Sequence, residues 1–266
     1  MSAFEILCTT MHQKDLSKVR EMNIHSDVLF ANQADRTELR EETIDGHRVR
    51  MITTQTRGVG KNRNLAMTLA EGDICLLADD DVVYRDDMPR QVCKAFDEMP
   101  QADVIIFGMD IVKNGVVTEK RHLQRKKRHV WDSLRFGTYT IAVRRRAILQ
   151  HNITFNQLFG GGCMYSAGED SLFLKSCFDA GLRVYSHEYV LGTCCKDTSS
   201  WFTGYGEKYF YDKGVLVRHL FPKTCYLMAA YFAIRFKRET AVSVMDRLKL
   251  VYAGVRGGKT LAPYQK

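Results

Sequence analysis

Apolar runs closed by turn residues recur along the first 110 positions: FEILCTT (4–10), DVLFANQ (27–33), RVRMIT (48–53), DICLLA (73–78) and DVIIFGMD (103–110). The runs are continuous rather than alternating, which is the pattern of strands buried on both faces. Stretches of helical length separate most of them, at 14–23, 59–71 and 87–98, the last followed by Pro100, which cannot continue a helix. Strands alternating with helices predict an α/β fold with a mostly parallel sheet flanked by helices, Rossmann-like in layout. In such sheets ligands bind outside the carboxyl ends of the strands. Thr9, Asn32, Thr53 and the Asp79, Asp80, Asp81 cluster all fall at such ends, so the pattern predicts that they line one crevice.

Beyond residue 110 the pattern loosens. An Asn114-Gly115 turn predicts a hairpin, TYTIAVRR (138–145) a strand, RRAILQHN (145–152) a short helix and LRVYSHEYVLG (182–192) a last strand. Residues 221–255 read as helical, with Lys223, Arg235, Lys237, Arg238, Arg247 and Lys249 interspersed among apolar positions.

Composition narrows the class. A chain of 266 residues with 45% hydrophobic content buries a large core, which excludes a disordered protein. The N-terminus lacks a basic stretch followed by an apolar one, and no window reaches the roughly 18 apolar residues of a membrane span, so the expected location is cytoplasmic. The eight cysteines are irregularly spaced without a CxxC pair, and reduced packing residues are expected. Charge is uneven. Residues 1–110 hold 13 Lys+Arg against 20 Asp+Glu, a net of −7, and the remainder carries +15. An acidic half joined to a basic half points to a cation site in the first and an anionic partner for the second, whether nucleic acid, a phosphorylated ligand or a membrane surface.

Three stretches bear candidate chemistry. In GDICLLADDDVVY (72–84) a buried strand ends in three adjacent carboxylates. Their mutual repulsion calls for a positive partner, and Mn²⁺ or Mg²⁺ held by one or two carboxylates, with water and phosphate completing the shell, fits that need. TRGVGKNRNLAM (56–67) is neither a phosphate loop, since Gln55 and Asn62 replace the required Gly and Ser/Thr, nor a GxGxxG fingerprint, since Arg63 replaces the third Gly. It leaves a turn into a helix start with Lys61 and Arg63, suited to an anion such as a diphosphate or simply solvated. In FGGGCMYSAGEDSLFLKSCFDAG (159–181), Gly160 to Gly162 read as a mobile loop, and Glu169 and Asp170 open a helix either as dipole partners or as a general base. The basic run RHLQRKKRH (121–129) reads as a solvated face, with a specific phosphate or nucleic-acid role as the alternative.

Taken together, GVGKNRN (58–64), ADDD (78–81) and GED (168–170), in that order, resemble a family 2 glycosyltransferase with the GT-A fold, of the bacterial glycan-building type. The resemblance covers roughly residues 4–192, and WFTGYGEKYFYDKG (201–214) is similar to the region after the core in some members. It implies a transferase domain over 1–215, with a nucleotide-sugar half to about 110 and an acceptor half beyond, and a helical, basic C-terminal extension over 216–266. It further implies a metal-dependent, inverting transfer from a nucleoside-diphosphate sugar, UDP-sugar favoured, to a glycan or lipid-linked acceptor in cell-surface polysaccharide synthesis. By the same resemblance Asp81 would ligate the metal, with Asp79 placing it or binding the ribose and Asp80 in support. Arg63 would contact base or diphosphate, Thr9 would line the nucleotide pocket, and Asn32 or Asp35 would reach base or ribose. Asp170 would be the catalytic base with Glu169 beside it. Many members carry a His after the last core strand; VLGTCCKDTSS (190–200) has none, and His187 falls a few residues early. The basic C-terminal half, rich in aromatics, suggests peripheral contact with an anionic leaflet at the inner face of the membrane. A sugar-phosphate nucleotidyltransferase would place a Gly-rich signature after the first strand, where CTTMHQKD (8–15) has no Gly. A nucleic-acid-binding protein has no need of the Asp cluster, and no nucleic-acid partner is expected.

Overall fold

The structure, a computed structural model, describes residues 2–195 and 204–265. In chain order the elements are β1 (Phe4–Met11), α1 (Lys18–Glu21), β2 (Asp27–Gln33), β3 (Glu38–Ile44), β4 (His47–Thr54), α2 (Val59–Leu69), β5 (Ile74–Asp79), β6 (Val82–Tyr84), α3 (Met88–Glu98), β7 (Val104–Lys113), β8 (Val116–Arg121) and β9 (Lys126–Lys127). Two 3-10 turns, Val130–Asp132 and Thr138–Thr140, lead to β10 (Ile141–Arg144), α4 (Arg145–Gln150), α5 (Glu169–Asp179), β11 (Val184–Cys195), α6 (Glu207–Leu220), α7 (Cys225–Arg235) and α8 (Val244–Gly257).

The strands form one sheet in the order β3-β4-β2-β1-β5-β10-β7-β11-β6, with β8 on β7 and β9 on β11. Strands β4, β2, β1, β5, β7 and β11 all point the same way. The antiparallel β10 is wedged between β5 and β7, and the remaining opposed strands lie at the margins. Helices cover both faces, which explains the continuous apolar runs. Along β1, Ile6 and Cys8 pack on one face with Val92 and Phe96 of α3, whereas Leu7 packs on the other with Ala66 and Met67 of α2 and Phe173 of α5.

Strands β3, β6 and the two-residue β9 lay outside the pattern reading. Strand β3, ELREETI, is a polar edge strand that pairs only with β4, its Glu38 and Glu41 bonded to Arg36, Arg40 and Arg48. Edge strands are commonly charged because unpaired edges invite aggregation, and the charge erases the apolar signal. Strand β6 is only three residues long. Residues 138–140 form a 3-10 turn before the predicted strand proper begins at Ile141.

The helices α6, α7 and α8 enclose a core of their own with Phe159, Tyr165 and Leu172. Helix α6 runs unbroken through residue 215, and the region predicted helical over 221–255 is two helices joined by a bend. A Cβ on Gly214 would lie 2.1 Å from the Val251 carbonyl oxygen, and one on Gly254 would lie 2.0 Å from that of Tyr211. Glycine at both positions lets α6 and α8 touch backbone to backbone.

Candidate active site

The site begins with the turn into α2. Gln33 donates its side-chain amide to Gly58 O at 3.0 Å. One position before Arg63, Asn62 donates to Ala31 O at 2.5 Å; one position after it, Asn64 donates to Phe155 O at 2.9 Å and accepts from Phe155 N at 2.7 Å. Gly60 lies so close to the chain at Asn156 that a Cβ would stand 2.4 Å from its carbonyl oxygen. The two asparagines and the close approach fix how α2 is rotated, and Arg63 is thereby aimed at the carboxyl edge of the sheet. Its guanidinium lies 5.3 Å from the Phe155 ring centroid.

Arg63 is 4% exposed, and its guanidinium meets three carboxylates. One amino group donates to Glu169 Oε1 and to Asp170 Oδ1, each at 3.0 Å, and the other to Asp79 Oδ1 at 2.8 Å. GVGKNRN, ADDD and GED, scattered over more than a hundred residues, therefore converge on one buried cation. Burial by itself would lower the pKa of the guanidinium, but the charges of Asp79, Asp170 and Glu169 raise it above its ordinary value.

One cation among three carboxylates leaves excess negative charge. Burial and the neighbouring Glu169 push the Asp170 carboxyl up to about 7, against the opposing pull of Arg63 and of a hydrogen bond from the Thr138 hydroxyl. A carboxylate that titrates near neutrality is suited to take a proton. Glu169 is held at its other oxygen by Gly168 N at 3.1 Å. Lys213 of α6 lies near both acids: burial lowers its pKa, and Glu169, Asp170 and Asp212 act against that shift. Asp212 accepts from Ser166 N at 2.9 Å and Ser166 Oγ at 2.8 Å, which ties α6 to the loop that presents Gly168, Glu169 and Asp170.

The Asp cluster occupies the turn from β5 to β6. Asp79 accepts from Thr9 Oγ1 at 3.3 Å, Asp80 is bonded by the Thr10 hydroxyl, and Cys195 N donates to the Asp81 backbone carbonyl at 2.8 Å. Asp81 is exposed at the turn. Among the described residues no group of three His, Cys, Asp or Glu side chains is arranged to hold a metal. The donor set still fits a hard divalent cation of the Mg²⁺ or Mn²⁺ kind, which takes one or two carboxylates and fills its shell with water and phosphate.

Several predicted roles change on this geometry. Asn32 is fully buried and occupied: its amide donates to Gln13 O and Thr53 Oγ1, both at 3.0 Å, and its oxygen accepts from Gln13 N at 3.1 Å. It braces the chain after β1 and does not face the crevice. Asp35, the alternative to Asn32, is exposed and ion-paired with Arg57 at 2.6 Å. Arg63 directs its charge at three protein carboxylates. The start of α2 is covered, since Val59 N donates to Gly161 O at 2.9 Å. Gly160 to Gly162 belong to a tight turn closed by bonds between Gly160 and Tyr165 and between Tyr165 and Leu158, each 2.9 Å. His187 is buried, with Arg125 at 2.8 Å from Nε2 and Tyr189 N donating to Nδ1 at 3.1 Å. Of VLGTCCKDTSS, residues 196–200 lie outside the described residues, as do 201–203 of the following stretch. In the sequence Thr138 reads only as the start of a strand, and Asp212 and Lys213 lie in the WFTGYGEKYFYDKG stretch, which carries no predicted site role; only the fold brings them in. All eight cysteines are free, as expected.

The family model described as Glycosyl transferase family 2 matches residues 26–161, just over half of the chain. The chain belongs to that family and is a glycosyltransferase with the GT-A fold. No curated protein matches the sequence. Among solved structures, S. aureus TarS 1–349 in complex with UDP-GlcNAc aligns at a TM-score of 0.61 and 14% identity, over 97% of this chain and 74% of that one. The same protein in complex with UDP aligns at 0.58 and 14% identity, over 97% and 72%. TarS 1–349 alone aligns at 0.60 and 13% identity, over 95% and 70%.

Proposed function

We propose that this glycosyltransferase moves a hexosyl or N-acetylhexosaminyl group from a nucleoside-diphosphate donor, a UDP-sugar in the first instance, to a hydroxyl of a glycan or lipid-linked acceptor, with inversion. The observation that carries this reading is the Arg63 junction, which holds an Asp of the donor-side cluster and a carboxylate poised near neutrality on one rigid support. The UDP preference is supported by S. aureus TarS, which shares the fold and whose structures hold UDP-GlcNAc and UDP.

In this mechanism the donor lies over the carboxyl edge of the sheet, with Thr9 beside the nucleotide. Asp81, aided by Asp79, would hold Mn²⁺ or Mg²⁺, which when bound offsets the negative charge that grows on the departing diphosphate. Asp80, tied to Thr10, keeps the turn in place. Asp170 accepts the acceptor's hydroxyl proton as oxygen attacks the anomeric carbon, and attack opposite the leaving group inverts that centre. Arg63 and Thr138 fix Asp170 in place, and burial, with the charges of Glu169 and Arg63, sets its proton affinity. Residues 1–110 act as the donor half and 111–215 as the acceptor half.

Thermal unfolding with UDP, GDP and CDP, each with and without Mn²⁺, tests the donor site. A rise of several degrees with UDP and Mn²⁺, lost in Asp81→Ala, is the expected result. No shift with any nucleotide would exclude the donor site as drawn.

The extension from 216 onward is proposed to rest on an anionic membrane surface. No helix of the described residues is long and apolar enough to cross a membrane. Helix α7 nevertheless exposes Leu227, Tyr231 and Ile234 along one side, beside Lys223 and Arg235. Apolar residues flanked by cations are what an interfacial helix presents to acidic headgroups. Co-sedimentation with phosphatidylglycerol liposomes at low salt, lost in Leu227→Glu/Ile234→Glu, is the expected outcome; equal recovery with and without liposomes would end the proposal.

A further inference from the structure

We propose that the cavity lined by Arg121, His122, Lys126, Arg128, Arg135 and Phe136 is the acceptor subsite and takes a saccharide that bears an anionic group, a phosphate or a carboxylate. The inference rests on the transferase reading above and adds the chemistry of the acceptor.

The cavity holds about 550 Å³, within the range of small-ligand sites and enough for a sugar with a charged substituent. Four of its lining residues are Lys or Arg. Its one acid, Glu119, is bonded to Arg121 through both carboxylate oxygens at 2.9 Å. The wall is therefore cationic after internal pairing is counted.

Arg128 makes the case sharper. It is 6% exposed, donates Nε to Ser186 Oγ at 2.9 Å, and lies 5.2 Å from the Phe136 ring centroid. The carboxylate that faces it, Asp132, stands 3.8 Å away, beyond hydrogen-bond distance, and also faces Arg135 at 3.7 Å. Burial lowers the pKa of Arg128, Asp132 counters this, and Arg135 adds to it. A desolvated guanidinium that shares a distant carboxylate with a second guanidinium is costly for the protein alone. An anion in the cavity would offset that cost, and Arg is the side chain best shaped to bind phosphate or carboxylate through paired donors.

The cavity is also joined to the catalytic base. Phe136 forms part of its wall, and two positions on, Thr138 bonds Asp170. Arg121, on the wall, donates to the hydroxyl of Tyr139 at 3.1 Å. One short segment, 136–139, thus bears both a residue of the cavity wall and the residue that bonds the base, and this shared segment is the proposed link between the seated ligand and Asp170.

Isothermal titration of the full chain with glucose 6-phosphate, glucuronate and neutral glucose tests the proposal. The expected result is binding of one or both anionic sugars, weakening as salt rises, with no heat from glucose. Binding of glucose 6-phosphate alone would assign a phosphate, and binding of glucuronate alone a carboxylate. Lys126→Glu/Arg135→Glu, at two exposed positions, is expected to bind at least about tenfold more weakly. Equal binding of glucose and the anionic sugars, no binding of any, or unchanged affinity in the double variant would overturn the proposal. The comparison of sugars on the unaltered chain decides even if the variant does not fold. A separate titration with UDP and Mn²⁺ reports the donor site, so a failed acceptor subsite is distinguished from a failed transferase reading.

Discussion

Asp170→Asn is expected to lower kcat by about a thousandfold while leaving the UDP-induced rise in melting temperature intact. Removal of a general base costs roughly two to four powers of ten, and Asn keeps the shape of Asp while losing its proton affinity. The fold is expected to survive, because the change removes one of three carboxylates crowded on a single guanidinium and so relieves repulsion. The pH profile gives an independent check. The carboxyl of Asp170 is held at about 7, so the active, ionised form is lost as pH falls through neutrality. Wild-type kcat/KM is expected to drop tenfold per pH unit below that point, and the residual activity of the variant to lose this limb. A variant within threefold of wild type, or a variant that keeps the limb, would remove Asp170 from the role of base.

Arg63→Met is expected to destabilise the fold by about 3–5 kcal/mol, because it leaves buried carboxylates without their cation. For a chain of this length that corresponds to a fall in melting temperature of roughly 10 °C. The long apolar side chain of Met keeps contact with Phe155, so the loss reports charge rather than packing. Adding Glu169→Gln is expected to recover part of the loss, since the two positions are coupled through a 3.0 Å bond. Melting within about 2 °C of wild type would show that Arg63 is not the keystone described above. Activity is expected to be abolished in both variants, because the spacing between Asp79 and Asp170 depends on Arg63.

Much of the fold was legible because burial on both faces writes itself into sequence as continuous apolar runs. FEILCTT, DVLFANQ and DICLLA became β1, β2 and β5, and their carboxyl ends meet as expected. The charged edge strand β3 was not legible, since its stability comes from cross-strand pairing and surface ion pairs, which leave no hydrophobic period. The candidate site was partly legible. Asp79, Glu169, Asp170 and Arg63 were each marked by a motif, yet nothing in their spacing says that Arg63 holds the other three. Asn32 was misplaced for an instructive reason: a polar residue at a strand's carboxyl end satisfies the rule for ligand sites, but here its amide is consumed by Gln13 and Thr53. Thr138 reads only as part of a strand and Lys213 only as part of the region after the core, and only tertiary packing brings them to Asp170.

In the proposed reaction the Arg63 junction joins a donor-binding acid cluster to a base that drives sugar transfer. The most direct measurement is the release of nucleoside diphosphate from a panel of UDP- and GDP-sugars with Mn²⁺, with water or added saccharides as acceptor, for wild type, Asp81→Ala and Asp170→Asn. UDP release from at least one UDP-sugar is expected, dependent on Mn²⁺, lost in Asp81→Ala and lowered about a thousandfold in Asp170→Asn. UDP release within threefold of wild type in either variant, or none from any donor, would contradict the proposed reaction.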